Sequence, residues 1–369
     1  MAKRIQRVLL YRLGSLGDTL VALPALHLVA RAFPQAERRL LTNFPVNVKA
    51  PPAAAILEHT GLVHGFFRYA VGTRSVRELF TLWAELIRWR PNVLVYLGAS
   101  RGIASAKRDA LFFRMCGISR QIGVPLTEEM QENLPTGPEG SLEPEAGRLA
   151  RNIRELGAAD LDDPGSWSLH LTDAEHGRAH EALASADGLP LVAVSVGTKV
   201  QAKDWGRENW QALLTRLAGL LPGHALALAG APEESDASDF AATNWQQLSG
   251  SPVINLCGKL TPRESAAVFA QARIFLGHDS GPMHLAAAVG TPCVAIFAAR
   301  NIPRIWFPYG SHHRVLYHRV DCAGCCLETC IVERKKCLTS ITVDEVLAAA
   351  RAVLDDAGSL SQSSRAGVR

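Results

Sequence analysis

No stretch of the sequence reaches the ~18 consecutive apolar residues that a membrane-spanning helix needs. The longest candidate, residues 285–299, is interrupted by Gly290, Thr291 and Pro292. The apolar run at residues 8–11 is much shorter than the ~7–15-residue core of an export signal, so we expect a cytoplasmic protein. Repeats of the length found in solenoids are also missing. We therefore expect neither a membrane-spanning helix nor a repeat architecture.

What the chain does contain is enough apolar material for two hydrophobic cores. Its 369 residues are 48% hydrophobic and 20% charged, which is typical of a folded globular protein rather than a disordered one. At roughly 150 residues for an ordinary domain, this length favours two domains.

Charge is distributed unevenly along the chain. The net charge is +4, but residues 1–120 hold 18 basic and 6 acidic residues, so the remaining residues are net acidic. This asymmetry indicates an anionic partner for the N-terminal part, such as a phosphorylated substrate or an acidic membrane, although a solvated basic face is the alternative. The basic residues are not interleaved with aromatics, and no nucleic-acid reader module is recognisable, so we expect no nucleic-acid partner.

Buried strands and amphipathic helices alternate along both halves of the chain. The predicted strands are residues 7–11, 93–97, 191–195, 225–229, 274–277 and 292–297. The main predicted helices are residues 19–33, 76–89, 103–116, 173–186, 208–221, 262–271 and 282–289. This alternation indicates an α/β fold with mostly parallel sheets.

An acidic segment rich in proline and glycine, residues 127–163, leads into a predicted linker between two Rossmann-like domains. We place these domains at residues 1–165 and 166–356. The tail, residues 357–369, has no core-forming residues and is predicted to be disordered.

The loop after the first predicted strand, residues 14–18, reads GSLGD. It lacks the Lys-Ser/Thr pair of a phosphate-binding P-loop and the third glycine of a dinucleotide-binding loop. It does place Asp18 at the carboxyl end of a strand, where ligands bind in open α/β sheets. A carboxylate there can accept a proton; alternatively, it only caps the helix that begins near Thr19.

A second loop, residues 279–284, reads DSGPMH and follows the predicted strand 274–277. Pro282 suits a first helical position, so free N–H groups and the positive end of the helix dipole predict a site for an anion such as a diphosphate. His284 can donate to a phosphate oxygen, or it can be an ordinary buried, hydrogen-bonded histidine.

Two further loops follow predicted strands. Lys203 comes after the Gly-Thr loop that ends the strand 191–195 and could neutralise phosphate charge, although a solvated surface lysine is the alternative. The turn 230–234 carries two glutamates after the strand 225–229, and a carboxylate there could bind ribose hydroxyls.

These motifs together, in this order, resemble glycosyltransferase family 9, the ADP-heptose:lipopolysaccharide heptosyltransferases. The matching segments are RVLLYRLGSLGDTLVALPAL, the Lys203-x-Trp205 pair and GHDSGPMHLAAAVGTPCVAIF. The resemblance implies a GT-B fold, in which two Rossmann-like domains face each other across a cleft. It also implies inverting, metal-independent transfer of a heptose or related sugar from a nucleotide sugar, with no cofactor needed for catalysis.

The resemblance assigns roles to individual residues. Asp18 matches the catalytic general base, and Lys203 matches the lysine that meets the donor diphosphate. The other implied donor-binding residues are Thr198, Glu234 (with Glu233 as the alternative), Asp279, Ser280, Gly281 and His284. Candidate acceptor-binding residues are Ser15, Arg101 and Arg108. The family's Phe-Gly-Pro-Thr is replaced here by FAARN at residues 297–301, which leaves the donor sugar open.

The implied acceptor is a lipopolysaccharide core or a similar glycolipid at the inner face of the cell membrane, where the enzyme would associate peripherally. Two rival interpretations remain: a GT-B-like nucleotide-sugar epimerase, or a non-catalytic protein that binds nucleotide sugars or serves in assembly. The sequence does not determine the oligomeric state.

Four cysteines, Cys322, Cys325, Cys330 and Cys337, have a spacing like that of metal ligands. They lack the paired Cys-x2-Cys units of a zinc ribbon. A structural zinc ion, an iron–sulfur cluster and buried free thiols are the alternatives.

Overall fold

The computed structural model describes residues 4–44, 52–70, 75–136 and 141–366, with side chains described as far as Asp356. The chain divides into two compact units, Met1–His170 and Leu171–Arg369. The division lies a few residues after the predicted domain boundary at 165/166.

Unit 1 alternates strands and helices. Its strands are β1 (Arg7–Tyr11), β2 (Glu37–Asn43), β3 (Gly65–Tyr69), β4 (Val93–Tyr96) and β5 (Gln121–Ile122). Its helices are α1 (Leu16–Leu20), α2 (Leu23–Ala32), α3 (Ala54–Leu57), α4 (Val76–Trp89), α5 (Ile103–Met115), α6 (Glu128–Gln131) and α7 (Glu145–Asn152). Within the described residues these strands form one parallel sheet in the order β3-β2-β1-β4-β5.

Unit 2 repeats this pattern with one more strand. Its strands are β6 (Leu191–Ser195), β7 (Ala225–Leu228), β8 (Val253–Asn255), β9 (Ala272–His278), β10 (Cys293–Phe297) and β11 (Arg314–Tyr317). Its helices are α8 (Asp173–Ala182), α9 (Arg207–Leu220), α10 (Ser235–Ala242), α11 (Trp245–Ser249), α12 (Pro262–Phe269), α13 (Gly281–Ala288), α14 (Lys336–Thr339) and α15 (Val343–Ala366). In the described part of the chain the strands form a parallel sheet in the order β11-β10-β9-β6-β7-β8.

Both strand orders are those of a Rossmann-like sheet, and they confirm the predicted α/β class with parallel sheets. In each sheet the strands follow one another outward from one central pair, β1 and β4 in unit 1 and β6 and β9 in unit 2. The boundary between the two strands of this pair is the topological switch point. Loops that leave neighbouring strands on opposite faces open a crevice at such a switch point, and ligands bind there. The loops after β1, β4, β6 and β9 are therefore the ones that position a site.

The central strands are buried on both faces, as parallel sheets covered by helices require. Val8, Leu9 and Leu10 of β1 are fully buried, and every residue of β6 and β10 is buried. In unit 2, the indoles of Trp210 and Trp245 lie in the same core cluster as these strands. The sheets are thus rigid supports for the loops at their carboxyl ends.

The helix predicted at residues 19–33 is two helices, α1 and α2, separated at residues 21–22. Pro24 lies in the first turn of α2, where its missing N–H costs nothing, whereas inside a continuous helix it would remove a backbone hydrogen bond.

Helix α15 extends from Val343 to Ala366, into the segment 357–369 predicted as a disordered tail; residues 367–369 lie outside the described residues. Among the helices that the structure describes, none combines the length and the apolar character needed to cross a membrane.

Candidate functional site

The carboxylate of Asp18 lies in the first turn of α1, directly after β1. Its Oδ2 accepts hydrogen bonds from the Ser15 backbone N–H at 2.7 Å and from the Ser15 hydroxyl at 2.8 Å. Asp18 therefore does cap its helix through one oxygen. The other oxygen, Oδ1, lies 3.6 Å from Nη2 of Arg12, and the side chain is 25% exposed. Capping thus fixes the carboxylate without removing it from solvent.

Arg12 lies on the buried side of this turn, and no local sequence signal indicates its role. It is almost completely buried, and its guanidinium donates to the backbone carbonyls of Asp18 at 3.0 Å and Leu97 at 2.7 Å. Its Nη1 also lies 3.6 Å from the buried carboxylate of Glu145. Glu145 in turn receives two hydrogen bonds from buried Arg148, at 2.7 and 2.8 Å. This buried charged cluster joins the ends of β1 and β4 to α7.

Arg101 follows β4, on the other side of the switch point in unit 1. It donates to Asp109 at 2.5 Å and to the phenol oxygens of Tyr11 at 3.1 Å and Tyr96 at 3.2 Å. Burial raises the pKa of Tyr11 and raises that of Tyr96 to about 12, so both phenols are neutral at neutral pH. Arg108 lies 3.6 Å from the same Asp109 and is largely exposed. Arg101 is thus a fixed cation, whereas Arg108 points into solvent.

In unit 2, Lys203 and Asp279 meet although 76 residues separate them. Nζ of Lys203 lies 2.6 Å from Oδ2 of Asp279 and donates to its backbone carbonyl at 3.1 Å. Lys203 ends a short 3₁₀ helix after β6, and Asp279 follows β9. The switch point between β6 and β9 therefore brings together two residues that the sequence placed in separate motifs.

Trp205 holds the loop that carries Lys203, which explains why the two residues occur together in one motif. The Trp205 backbone N–H donates to Nε2 of His278 at 3.1 Å, and the Trp210 indole N–H donates to the same nitrogen at 3.3 Å. Complete burial lowers the pKa of His278 to about 4, so this imidazole is neutral and accepts both bonds. Trp205 anchors its loop to the residue before Asp279, and Lys203 is held beside Asp279 as a result.

Helix α13 begins at Gly281, with Ser280 as its N-cap and Pro282 in its first turn. The Ser280 hydroxyl is buried and, among the residues that the structure describes, has no hydrogen-bond partner. A buried hydroxyl without a partner is costly, so its position at a helix N-terminus favours a ligand there. His284, one turn further on, is buried.

Glu234 is held against two glycines at the ends of β6 and β7. A Cβ on Gly197 would lie 2.0 Å from the Glu234 carboxyl carbon, and one on Gly230 would lie 2.4 Å from Oε2. Oε2 also accepts the Ala231 backbone N–H at 2.8 Å, whereas Glu233 is exposed. Of the two candidate glutamates, Glu234 is therefore the one directed at the strand ends. Thr198, half-buried, follows Gly197 directly.

A family model of glycosyltransferase family 9 (heptosyltransferase) matches residues 148–336, which is 189 of the 369 residues. The chain belongs to this family. The resemblance seen in the sequence motifs is thereby confirmed, and so is the expected enzyme class, glycosyltransferase.

Curated relatives of this family 9 chain are lipopolysaccharide heptosyltransferases. Heptosyltransferase 1 of Pseudomonas aeruginosa is 25% identical over 88% of this chain and 87% of its own length. Heptosyltransferase 3 of Escherichia coli is 28% identical over 40% of each chain, so this match spans less than half the length of that relative. The solved structure of E. coli ADP-heptose lipopolysaccharide heptosyltransferase II has a TM-score of 0.66 at 16% identity, covering 95% of this chain and 99% of that one. Its likeness shows a shared fold.

Three of the four cysteines, Cys322, Cys325 and Cys330, lie in an irregular segment between β11 and α14 of the family 9 chain, and Cys337 lies in α14. All of them are free, and the structure's described residues contain no group of three or more His, Cys, Asp or Glu side chains that could hold a metal ion. Cys330 accepts a hydrogen bond from the Lys335 backbone N–H at 3.3 Å. Burial raises the pKa of Cys337, which keeps that thiol protonated. Cys325 is exposed and the other three cysteines are partly buried.

Proposed function

We propose that this chain transfers a heptose, or a related sugar, from a nucleotide-sugar donor, ADP-heptose, to a lipopolysaccharide core or similar glycolipid. The transfer inverts the anomeric centre and needs no metal ion. The observation that carries the proposal is the Asp18 carboxylate, which is fixed at the switch point of unit 1 by Ser15 while its side chain stays 25% exposed.

Asp18 acts as the general base in this mechanism. A carboxylate that is held in place but still exposed can accept the proton of an acceptor hydroxyl as that oxygen attacks the anomeric carbon. Single-step inversion needs one such base opposite the leaving group. Arg12 holds the backbone of this turn from the buried side, so the carboxylate has little freedom to turn away.

Unit 2 binds the donor and stabilises the departing nucleoside diphosphate. The negative charge that develops on the leaving phosphate is met by the Lys203 ammonium and by the free N–H groups at the start of α13. Ser280 supplies a hydroxyl that lacks a partner among the described residues, and His284 lies one turn along the same helix. Glu234, with Thr198 beside it, accepts hydrogen bonds from the ribose hydroxyls.

The acceptor side lies in unit 1, and the basic excess of residues 1–120 attracts a phosphorylated glycolipid to it. Arg101 and the exposed Arg108 are the cations that contact its phosphate groups, with Ser15 beside the attacking hydroxyl. The enzyme works at the inner surface of the cell membrane as a peripheral protein.

The general-base role is tested by Asp18→Asn. The amide preserves the shape of the side chain and can still cap the helix, but it cannot accept the proton. We expect kcat to fall by ~10²–10⁴-fold while donor affinity stays close to that of the wild type. Glu128→Gln, in the exposed first turn of α6, is the matched control and should leave kcat unchanged. If Asp18→Asn is folded and its kcat is within a few-fold of the wild type, Asp18 is not the base.

The donor assignment is tested by calorimetric titration with ADP, UDP and GDP. We expect ADP to bind most tightly. Lys203→Gln should weaken ADP binding by roughly tenfold to a hundredfold, because a hydrogen bond to a charged group contributes ~1.5–3 kcal/mol. Lys336→Gln is the control, since that lysine is also ion-paired, with Glu333 at 2.8 Å, but lies on α14.

Other outcomes of the titration have definite meanings. Preference for UDP or GDP would change the assigned donor nucleotide. Absence of all nucleotide binding would support a non-catalytic role in assembly. Release of free sugar from a UDP-sugar without any acceptor supports the epimerase alternative. Transfer that persists in excess chelator is expected for the metal-independent reaction, and its loss would contradict that part of the proposal.

A further inference from the structure

Helix α4 of unit 1 has two apolar stripes, and only one of them is buried. Leu82, Leu86 and Trp89 form its buried stripe, with the spacing of one helix face. A second apolar stripe stays in solvent: Val76 is 79% exposed and Phe80 62% exposed. One buried stripe is enough to hold a surface helix, so the exposed stripe needs a separate explanation.

The exposed stripe continues onto the end of α5. The Trp83 indole N–H donates to the Met115 carbonyl at 3.1 Å, and the rings of Trp83 and Phe80 are 5.4 Å apart. Met115 and Leu111, one turn apart on α5, are each 58% exposed. We call the whole surface the α4–α5 patch; its members are Val76, Leu79, Phe80, Trp83, Ile87, Leu111 and Met115.

Basic residues outnumber acidic ones in the two segments that carry the α4–α5 patch. Residues 75–90 and 101–120 contain eight basic and three acidic residues. On α5, Lys107 and Arg114 precede and follow Leu111 by four and three positions, so all three share one face of the helix. Within the described residues, neither Lys107 nor Arg114 is ion-paired with a carboxylate. The patch is therefore apolar and has two cations, Lys107 and Arg114, beside Leu111 on α5.

We propose that the α4–α5 patch docks on the surface of an anionic lipid bilayer. Apolar side chains enter the boundary between headgroups and acyl chains, while the surrounding Lys and Arg side chains contact lipid phosphates. A second copy of the chain is a poorer occupant, because a symmetric contact through this face would bring its basic edges against each other. The proposal deepens the proposed function by naming the membrane-binding surface, but docking itself requires neither donor nor acceptor.

The test is flotation of the full-length protein with vesicles of phosphatidylcholine alone or with phosphatidylglycerol added, without donor or acceptor. We expect binding to the anionic vesicles that weakens as salt rises. The double variant Phe80→Ser/Leu111→Ser should bind at least tenfold more weakly. Lys107→Gln/Arg114→Gln should also bind more weakly, with a smaller dependence on salt. The control is Ile331→Ser/Val332→Ser, a pair of exposed apolar residues outside the patch, which should bind like the wild type.

Three outcomes overturn the proposal: no binding of the wild type to anionic vesicles at low salt, equal binding by all variants, or a wild-type dimer in sedimentation that Phe80→Ser/Leu111→Ser dissociates. Circular dichroism and melting temperature verify that each variant is folded. Activity on a delipidated, water-soluble acceptor separates this proposal from the proposed function. Patch variants should retain that activity. If the catalytic proposal is wrong, the wild type will lack this activity but will still bind the vesicles.

Discussion

At the scale of single residues, Gly14 and Asp18 depend on each other. Gly14 has φ +142°, and a Cβ built there would lie 2.4 Å from both Cβ and Cγ of Asp18. Only glycine allows the chain to pass this close to the carboxylate. The glycine in this loop therefore determines where Asp18 lies, although the loop is not a nucleotide-binding motif.

Gly14→Ala should consequently displace the Asp18 carboxylate. We expect kcat to fall by about 100-fold, since a shift near 1 Å at a reacting group has about that cost. Gly61→Ala is the matched control: its φ is also positive, at +70°, but a Cβ there meets nothing within 4 Å. It should lose ~1–2 kcal/mol of stability and keep its kcat. Wild-type kcat in Gly14→Ala, measured on folded protein, would contradict this account.

At the scale of elements, the sequence predicted some boundaries correctly and missed others for identifiable reasons. β1, α4 and β6 have the predicted bounds. β2 was not predicted, since its sequence ERRLLTN begins with three charged residues. Arg38 is nevertheless buried, and its guanidinium donates to the carbonyls of Leu62 and Gly61. A charge whose partners are backbone carbonyls of a distant loop cannot be recognised from local sequence.

The same limit applies to the site. The sequence motifs predicted site roles for Asp18, Lys203 and Asp279, because each lies in a recognisable loop after a strand. Arg12 and Glu145 escaped notice, since 133 positions separate two side chains whose charged atoms are 3.6 Å apart. Their relevance follows from the strand order, which no single motif encodes.

The buried charged cluster joining β1, β4 and α7 gives a prediction at this scale. Glu145→Gln removes the carboxylate that Arg12 and Arg148 both contact. Removing one member of a buried ion pair leaves an uncompensated charge, so the free energy of unfolding should fall by ~3–5 kcal/mol. The control is Glu129, an exposed carboxylate 3.8 Å from Arg151, and Glu129→Gln should cost ~0–1 kcal/mol. Urea denaturation measures the change in the free energy of unfolding for both variants. Equal changes would contradict the expected contribution of the buried charged cluster to stability.

At the scale of the whole molecule, buried neutral histidines make stability depend on pH. Burial lowers the pKa of His278 to about 4 and that of His313 to about 3. Each accepts a backbone N–H, from Trp205 and Cys293 respectively. As the pH falls, these imidazoles bind protons in the unfolded chain near the ordinary histidine pKa of ~6.5, which is a higher pH than in the folded chain. Their contribution is therefore complete above pH ~6.5 and is lost as the pH falls towards 4.

We expect the free energy of unfolding to fall by up to ~1.4 kcal/mol per pH unit for each of these histidines below pH ~6.5. Denaturation series at pH 7.5, 6.5 and 5.5 measure the slope. His278→Gln should reduce the slope by about one histidine's share, because the amide oxygen can still accept the Trp205 N–H. His176→Gln, on the exposed side of α8, should leave the slope as it is. A slope unaffected by His278→Gln would contradict this assignment.

The ion pair between Lys203 and Asp279 has a consequence for turnover. Asp279 is an anionic partner of this lysine, with its Oδ2 2.6 Å from Nζ. If Lys203 meets the donor diphosphate as proposed, the incoming nucleotide must compete with Asp279, and Asp279 recovers the lysine when the product departs. Such an exchange of partners would lower the affinity for the donor and for the spent nucleotide alike, so Asp279 would speed product release and raise the donor concentration that turnover needs.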